Sequence, residues 1–253
     1  MLLSLSLTDF VIVPELTINL EGGFTALTGE TGAGKSTIVN LICRFYEPTD
    51  GTIYIDGRDY KKRSQLWLQG NLGYVLQSPH LFSGTIRDNI RFGRPNASDE
   101  EVRTAARMIH ADTFIEAQPL EYDTEVGEGG IRLSTGQKQL ISFARVILAD
   151  PRIFILDEAT SSIDTQTEQL IQNAIGKVLE GRTSLVVAHR LSTIRHADMI
   201  LVIRNGSITE RGTHEELLAL KGYYHDLYMH QFREEKIQDV LDNSHGANKQ
   251  YII

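Results

Sequence analysis

The chain has 253 residues, 41% of them apolar, enough to bury a real core as one large domain or two small lobes. Its 25 Lys+Arg against 33 Asp+Glu give a formal charge of −8, which argues against sequence-independent DNA binding by the whole surface and leaves room only for a local basic patch. No run of 18 apolar residues reads as a membrane span, and Cys43, the single cysteine, excludes an internal disulfide or a cysteine-built metal site and reads as a small buried hydrophobe.

Residues 2–28 alternate apolar and polar positions (Leu3, Leu5, Leu7; Leu16, Ile18, Leu20) and break at Pro14 and at Glu21-Gly22-Gly23, predicting short strands. The opening MLLSLSL belongs to this alternation and lacks a basic flank, so it does not read as a signal peptide. Phe24 to Thr28 predicts a buried strand. From Ser36, the residues Ile38, Val39, Leu41, Ile42 and Phe45 give helical spacing, ended by Pro48 and the Asp50-Gly51 turn. Thr52 to Asp56 predicts a strand, Ser64 to Gln69 a short helix, and Leu72 to Gln77 a strand that ends on a glutamine. Between them, Lys61, Lys62 and Arg63 form the one dense basic run, read as a solvated face.

Ser98 with Glu101 three residues on is a capping box, opening a helix whose apolar stripe is Val102, Ala105, Ala106 and Ile109. Gly127, Gly129 and Gly130 then predict a loop. Ser134 with Gln137 repeats the capping-box spacing ahead of Leu140, Ile141, Phe143, Ala144, Ile147 and Leu148. The apolar run Ile153 to Leu156 ends in Asp157-Glu158. A helix over Thr165 to Leu179, a strand from Ser184 to Ala188, a short helix near Leu191 to Arg195 and a hairpin over Met199 to Thr209, turning at Asn205-Gly206, continue a strand-helix alternation. Two helices beginning near Thr213 and Tyr223 close the domain, and the polar stretch from Arg233 to Ile253 predicts a weakly ordered tail.

Two stretches carry chemistry on their own residues. Gly29-Glu30-Thr31-Gly32-Ala33-Gly34-Lys35-Ser36-Thr37 fits G-x-x-x-x-G-K-[ST] in a strand-loop-helix context. Glycines let the backbone turn and bring its N–H groups close to phosphate oxygens, Lys35 adds a point charge, Ser36 offers a hydroxyl to Mg²⁺, and the helix N-terminus points its positive end at the phosphates. Asp157-Glu158 ends a buried strand, where an unpaired carboxylate is costly unless a metal or hydrogen bonds stabilise it. Asp157 suits the metal and Glu158 suits the base that polarises water for in-line attack on a γ-phosphate.

With those residues in hand, the chain resembles the ATP-binding-cassette family over about residues 36–232. Leu133-Ser134-Thr135-Gly136-Gln137 is similar to that family's LSGGQ signature, with Thr for its first Gly; Gln77 resembles the Q-loop, Ser161-Ser162-Ile163-Asp164 the D-loop, and His189 the switch histidine. The resemblance implies an α/β P-loop NTPase with a mixed central sheet flanked by helices, an antiparallel β edge subdomain and a helical signature lobe. It implies one ATPase domain over 1–232, with a core over 36–78 and 151–232, a helical lobe over 79–150, and a tail over 233–253. It further implies ATP and Mg²⁺ as cofactors, the metal taken by Ser36, Asp157 and Gln77. In the implied head-to-tail homodimer, Ser134, Gly136 and Gln137 close on the γ-phosphate of the partner, His189 bonds that phosphate, and Asp164 links the two sites.

The segment Thr124 to Glu128 resembles the X-loop of exporters, and Leu81-Phe-Ser-Gly-Thr-Ile86 and His189-Arg-Leu-Ser-Thr193 are also exporter-like. A cytoplasmic motor domain, peripheral to the inner or plasma membrane when assembled with membrane domains, is therefore implied. Residues 1–35 instead resemble the amino terminus of RecN-type DNA-repair ATPases of the SMC-like branch, which points to a recombined or engineered join at the phosphate loop, or else to an unusual natural domain. The usual adenine-stacking tyrosine has no clear counterpart, and Phe10 is left either to pack in the core or to lie near the base. Two alternatives follow: an SMC-like repair ATPase, for which the roughly 100 residues between Lys35 and Ser134 are too few for a long coiled coil, and a chimeric scaffold with little or no turnover.

Overall fold

The computed structural model describes residues 3–10, 13–20, 22–157, 165–188 and 191–233. In chain order the elements begin with β1 (Leu3–Phe10), β2 (Val13–Leu20), β3 (Gly23–Thr28), α1 (Lys35–Ile42), β4 (Asp50–Ile55), β5 (Arg58–Asp59), α2 (Gln65–Gly70) and β6 (Leu72–Val75). A run of helices follows: α3 (Ile86–Arg91), α4 (Asp99–Met108), α5 (Asp112–Glu116) and α6 (Thr135–Ala149). The chain then returns through β7 (Ile153–Asp157), α7 (Thr165–Leu179), β8 (Thr183–Val187), α8 (Leu191–Arg195), β9 (Met199–Arg204), β10 (Ser207–Gly212), α9 (His214–Leu220) and a last helix, α10, over 223–233.

Two sheets divide these strands. A six-stranded sheet has the order β10-β9-β3-β8-β7-β6, with β9, β3, β8, β7 and β6 mutually parallel and β10 antiparallel at one edge. A four-stranded antiparallel sheet has the order β2-β1-β4-β5. Strands β1 and β2 thus belong to the smaller sheet and β3 to the larger, with exposed Gly22 just before β3. In the register of the smaller sheet Leu3 faces Ile55 on one side and Leu20 on the other.

The parallel strands are apolar on both faces, as strands covered on both sides must be. On β7, Phe154 and Leu156 enter a core shared with α3, α4, α6 and α7, whereas Ile153 and Ile155 face the opposite way, into a core shared with α1 and β4. The same alternation divides Ile200 and Val202 from Leu201 and Ile203 on β9. Helix α1 has Ile38, Val39, Leu41 and Ile42 all fully buried, so it is apolar round most of its circumference and sits inside the protein rather than on it.

The sequence expectations hold for the capping boxes at Ser98/Glu101 and Ser134/Gln137, for the buried stripes of α4 and α6, and for the Asn205-Gly206 hairpin, whose turn residues have φ 49° and 74° as a type I′ turn requires. One expectation is corrected. The helix read through Phe45 stops at Ile42, where Arg44 adopts φ 58° and the bonds Arg44 N→Leu41 O and Phe45 N→Asn40 O form a Schellman ending, leaving Phe45 56% exposed. The residue in the left-handed position is arginine instead of the usual glycine, so the stop has no sequence signal. Helices α3 and α5 fall within the stretch 79–150 expected to be helical; α3 opens on a capping box, Thr85 with Asp88, built with the shorter acid.

The remaining helical face is closed by α9 and α10. The His214 ring packs 5.0 Å from Tyr228 and accepts or donates a 2.8 Å bond between Nδ1 and Tyr224 Oη. Tyr228 stacks on Phe232 at 6.1 Å, so an aromatic ladder holds the last helix to the body. Lys61 and Lys62 are exposed, as read from the sequence, while Arg63 is half-buried and lies 4.0 Å over the Trp67 ring.

Two measurements follow from this burial. Cys43 is 3% exposed and burial pushes its thiol up to about 12, so in native conditions near pH 8 it should resist thiol reagents until the protein unfolds; fast native labelling would contradict the packing. Burial lowers the His214 imidazole below its ordinary 6.5, so the stability it confers is complete above pH 6.5 and is lost as pH falls through the depressed folded value. An NMR titration should find its midpoint below 6.5, with the unfolding temperature declining over the same acid range.

Candidate nucleotide site

The phosphate loop leaves β3 at Thr28 and enters α1 at Lys35. Three glycines in it have positive φ: Gly29 at 139°, Gly32 at 82° and Gly34 at 104°. Gly34 is the N-cap of α1 and supplies no side-chain cap, so the first-turn N–H groups of the helix keep their donors for a ligand. Gly29 is required for a second reason: a Cβ there would lie 2.1 Å from the Ile203 carbonyl oxygen of β9. The β9–β10 turn supports the loop from the same side, with Gly206 N donating to Ala33 O at 3.0 Å. These supports, Ile203 and Gly206, were not visible in the sequence.

Lys35 is 6% exposed, and its Nζ donates to Gly29 O at 2.5 Å and to Glu30 O at 2.8 Å. Burial lowers its pKa, and the charges of Asp157 and Glu30 act in the opposite direction. Around it Ala33 and Gly34 are buried, Thr37 is half-buried, and Glu30, Thr31, Gly32 and Ser36 are exposed. The buried ammonium thus lies beneath a loop whose exposed residues are Glu30, Thr31, Gly32 and Ser36.

Register carries the acidic strand to this loop. Asp157 pairs with Val187 of β8, and Val187 pairs with Leu27 of β3, so one strand separates Asp157 from the phosphate loop, roughly 10 Å at ordinary strand spacing. Asp157 is half-buried. On the other side β6 runs beside β7, with Val75 opposite Leu156, and exposed Gln77 follows two residues after the strand. Ala188 N donates to Leu27 O at 3.0 Å, which brings the chain beside β3 one residue before His189. The phosphate loop, Gln77, Asp157 and the chain up to Ala188 therefore lie at the carboxyl edge of one parallel sheet, where open α/β sheets bind ligands. Glu158, Asp164 and His189 lie outside the described residues, as does the whole stretch 158–164, and the side chain of Phe10 lies outside them too.

Ser134, the expected signature serine, is exposed and caps α6 by accepting from Gln137 N at 3.2 Å; Gln137 Oε1 in turn accepts from Ser134 N at 3.0 Å. Gln137 is thereby engaged within its own chain, and Gly136 is buried. The exporter-like phrases Leu81–Ile86 and Thr124–Glu128 prove to be neighbours: Ile86 N donates to Thr124 O at 3.0 Å and Val126 N to Gly84 O at 3.0 Å. A buried hub at Asn89 orders this region. It bonds Phe82 N and O at 2.9 and 2.8 Å, while Arg145 of α6 donates to its main-chain and side-chain oxygens.

The sequence model of the ABC transporter family matches residues 15–161, more than half the chain, and the match begins upstream of the phosphate loop. The chain belongs to the ABC transporter family. It is 54% identical over 213 residues to the uncharacterized ABC transporter ATP-binding protein YfiC of Bacillus subtilis, covering 84% of this chain and 35% of that protein. With a putative multidrug export ATP-binding/permease protein of Staphylococcus aureus it shares 51% identity over 218 residues, 86% of this chain and 38% of that one. The chain spans a little over a third of the length of these curated relatives. The structure of a bacterial Atm1-family ABC exporter with ATP bound matches with a TM-score of 0.84 at 40% identity, over 91% of this chain and 41% of that one. The family's ATP-binding domain is an ATPase, and the expected α/β fold of that domain, with its central sheet and separate antiparallel sheet, is the fold found.

The glycines give a direct test. Gly29→Ala should destabilise the protein by about 2–4 kcal/mol, because it combines backbone strain with a clash on a main-chain oxygen, whereas Gly32→Ala, whose Cβ meets nothing within 4 Å, should cost only about 1 kcal/mol of strain. Equal urea midpoints for the two variants would contradict this view of the loop's support.

Proposed function

We propose that this chain is the motor domain of an ABC exporter, binding ATP with Mg²⁺ and hydrolysing it in a head-to-tail homodimer. The observation that carries the reading is the convergence of the phosphate loop, Asp157 and Gln77 on the carboxyl edge of one parallel sheet, with a buried ammonium at its centre. Ser134 belongs instead to α6, in the helical layer on the other core, which is consistent with a signature that serves a second chain's nucleotide.

The site fits Mg²⁺ by its donor chemistry. Among the described residues no group of three or more His, Cys, Asp or Glu could hold a metal, so the protein's share is the Ser36 hydroxyl and the Asp157 carboxylate, with Gln77 in reach of the same edge. Two protein oxygens suit an ion that keeps waters and binds substrate phosphates. When bound, the ion would neutralise charge on the β- and γ-phosphates. Lys35 and the loop amides hold the phosphates in line, Glu158 accepts the proton of the attacking water, His189 donates to the γ-phosphate, and Asp164 relays the state of one site to the other.

Membrane domains are the partners this reading requires. Support comes from exposed apolar side chains: Phe82 and Phe92 pack 4.4 Å apart with Arg145 over both rings, and Phe45 and Leu76 are exposed as well. The X-loop-like segment is pinned next to Leu81–Ile86, so both exporter-like phrases flank one surface. Among the described residues no helix is long and apolar enough to cross a membrane, so transport would use membrane segments other than these. We assign 36–78 and 151–232 to the catalytic core, 79–150 to the coupling lobe and place the domain at the cytoplasmic face. The RecN-like 1–35 segment is compatible with that assignment, because β1 pairs with β4 over six positions across the join.

Glu158→Gln should bind Mg·ATP nearly as well as the parent chain, hydrolyse none, and double its mass by light scattering when Mg·ATP saturates it. Lys35→Ala should lose the nucleotide and stay monomeric. A Glu158→Gln chain that keeps full turnover would sink the assignment of the base.

A further inference from the structure

One hydrogen bond joins the closing helix to the phosphate loop. Tyr223 Oη donates to Glu30 Oε1 at 2.7 Å, across 193 residues of sequence. The tyrosine is fixed from its other end, because the Glu210 carboxylate of β10 accepts from Tyr223 N at 2.6 Å and from Tyr224 N at 2.9 Å, capping α10 from another element. The Arg204 guanidinium lies 5.0 Å from the Tyr223 ring centroid, and buried Tyr224 locks the next residue into the aromatic ladder. The hydroxyl therefore meets Glu30 from a rigid support.

Glu30 is an awkward residue for its place. It follows Gly29 in a loop that would cradle a polyphosphate, and its main-chain oxygen holds Lys35 Nζ at 2.8 Å. Its carboxylate is near enough to raise the Lys35 pKa against the effect of burial, so it shares in the field of the ammonium that would grip the phosphates. A free carboxylate at this rim would repel an incoming triphosphate and compete with it for Lys35. The Tyr223 hydroxyl gives that carboxylate a partner on the side of α10.

We propose that Tyr223 is a positioning residue for nucleotide binding: it tethers the Glu30 carboxylate and so keeps Lys35 available to phosphate, coupling the closing helix to ATP affinity. The proposal rests on the nucleotide reading above. Its signature is electrostatic, which a merely structural contact would not reproduce.

The test is a calorimetric titration of Mg·ATP into the parent chain, Tyr223→Phe, Glu30→Gln and the double variant, each at about 0.05 M and about 0.5 M salt. Tyr223→Phe should bind roughly three- to tenfold more weakly at low salt, the range of one ordinary hydrogen bond, and the deficit should shrink at high salt. Glu30→Gln should bind more tightly than the parent, and the double variant should match Glu30→Gln, since without the charge there is nothing to tether. Unchanged affinity in Tyr223→Phe, or a double variant that keeps the full Tyr223→Phe deficit at both salts, would overturn the proposal while leaving nucleotide binding intact. A folded parent chain that binds no Mg·ATP would overturn the nucleotide reading itself, and this proposal with it.

Discussion

A lysine ammonium held inside the protein by two main-chain carbonyls is the constraint on which the rest depends. Burying a cation is costly, and Lys35 offsets the cost with bonds to Gly29 O and Glu30 O and with the nearby charge of Asp157. Those carbonyls point inward only because the loop runs through positive φ at Gly29, Gly32 and Gly34. The loop holds that shape because its two ends cannot move: β3 lies in the middle of the parallel sheet, and α1 is enclosed by apolar contacts on nearly every side. The two cores thus serve the site by immobilising a strand end and a helix start.

The same sheet explains why distant stretches of sequence act together. Parallel strands all present their carboxyl ends at one edge, so the ends of β3, β6, β7 and β8 lie there together without being close in sequence. Helix α6 belongs to the other core and carries its cap away from that gathering, at the exposed start of a long helix. The phosphate loop and the capped start of α6 thus belong to different layers of the domain.

Strand β1 pairs with β2 at seven positions and with β4 at six, and Leu20 enters the same core as α1. Strand pairing is satisfied by alternation and by backbone bonds.

The sequence by itself determined what is local. Strand runs, capping boxes at Ser98 and Ser134, the Asn205-Gly206 turn and the phosphate loop each have their cause within a few residues, in period, φ preference or a side chain bonding its own backbone. Only the tertiary structure decided which distant groups meet. The stop of α1 at Arg44 uses a residue that does not advertise a left-handed turn. Gly29 answers to the Ile203 carbonyl, Asn89 to Phe82 and Arg145, and Glu30 to Tyr223. Those pairings come from sheet order and helix packing, for which neither partner carries a mark in its own neighbourhood.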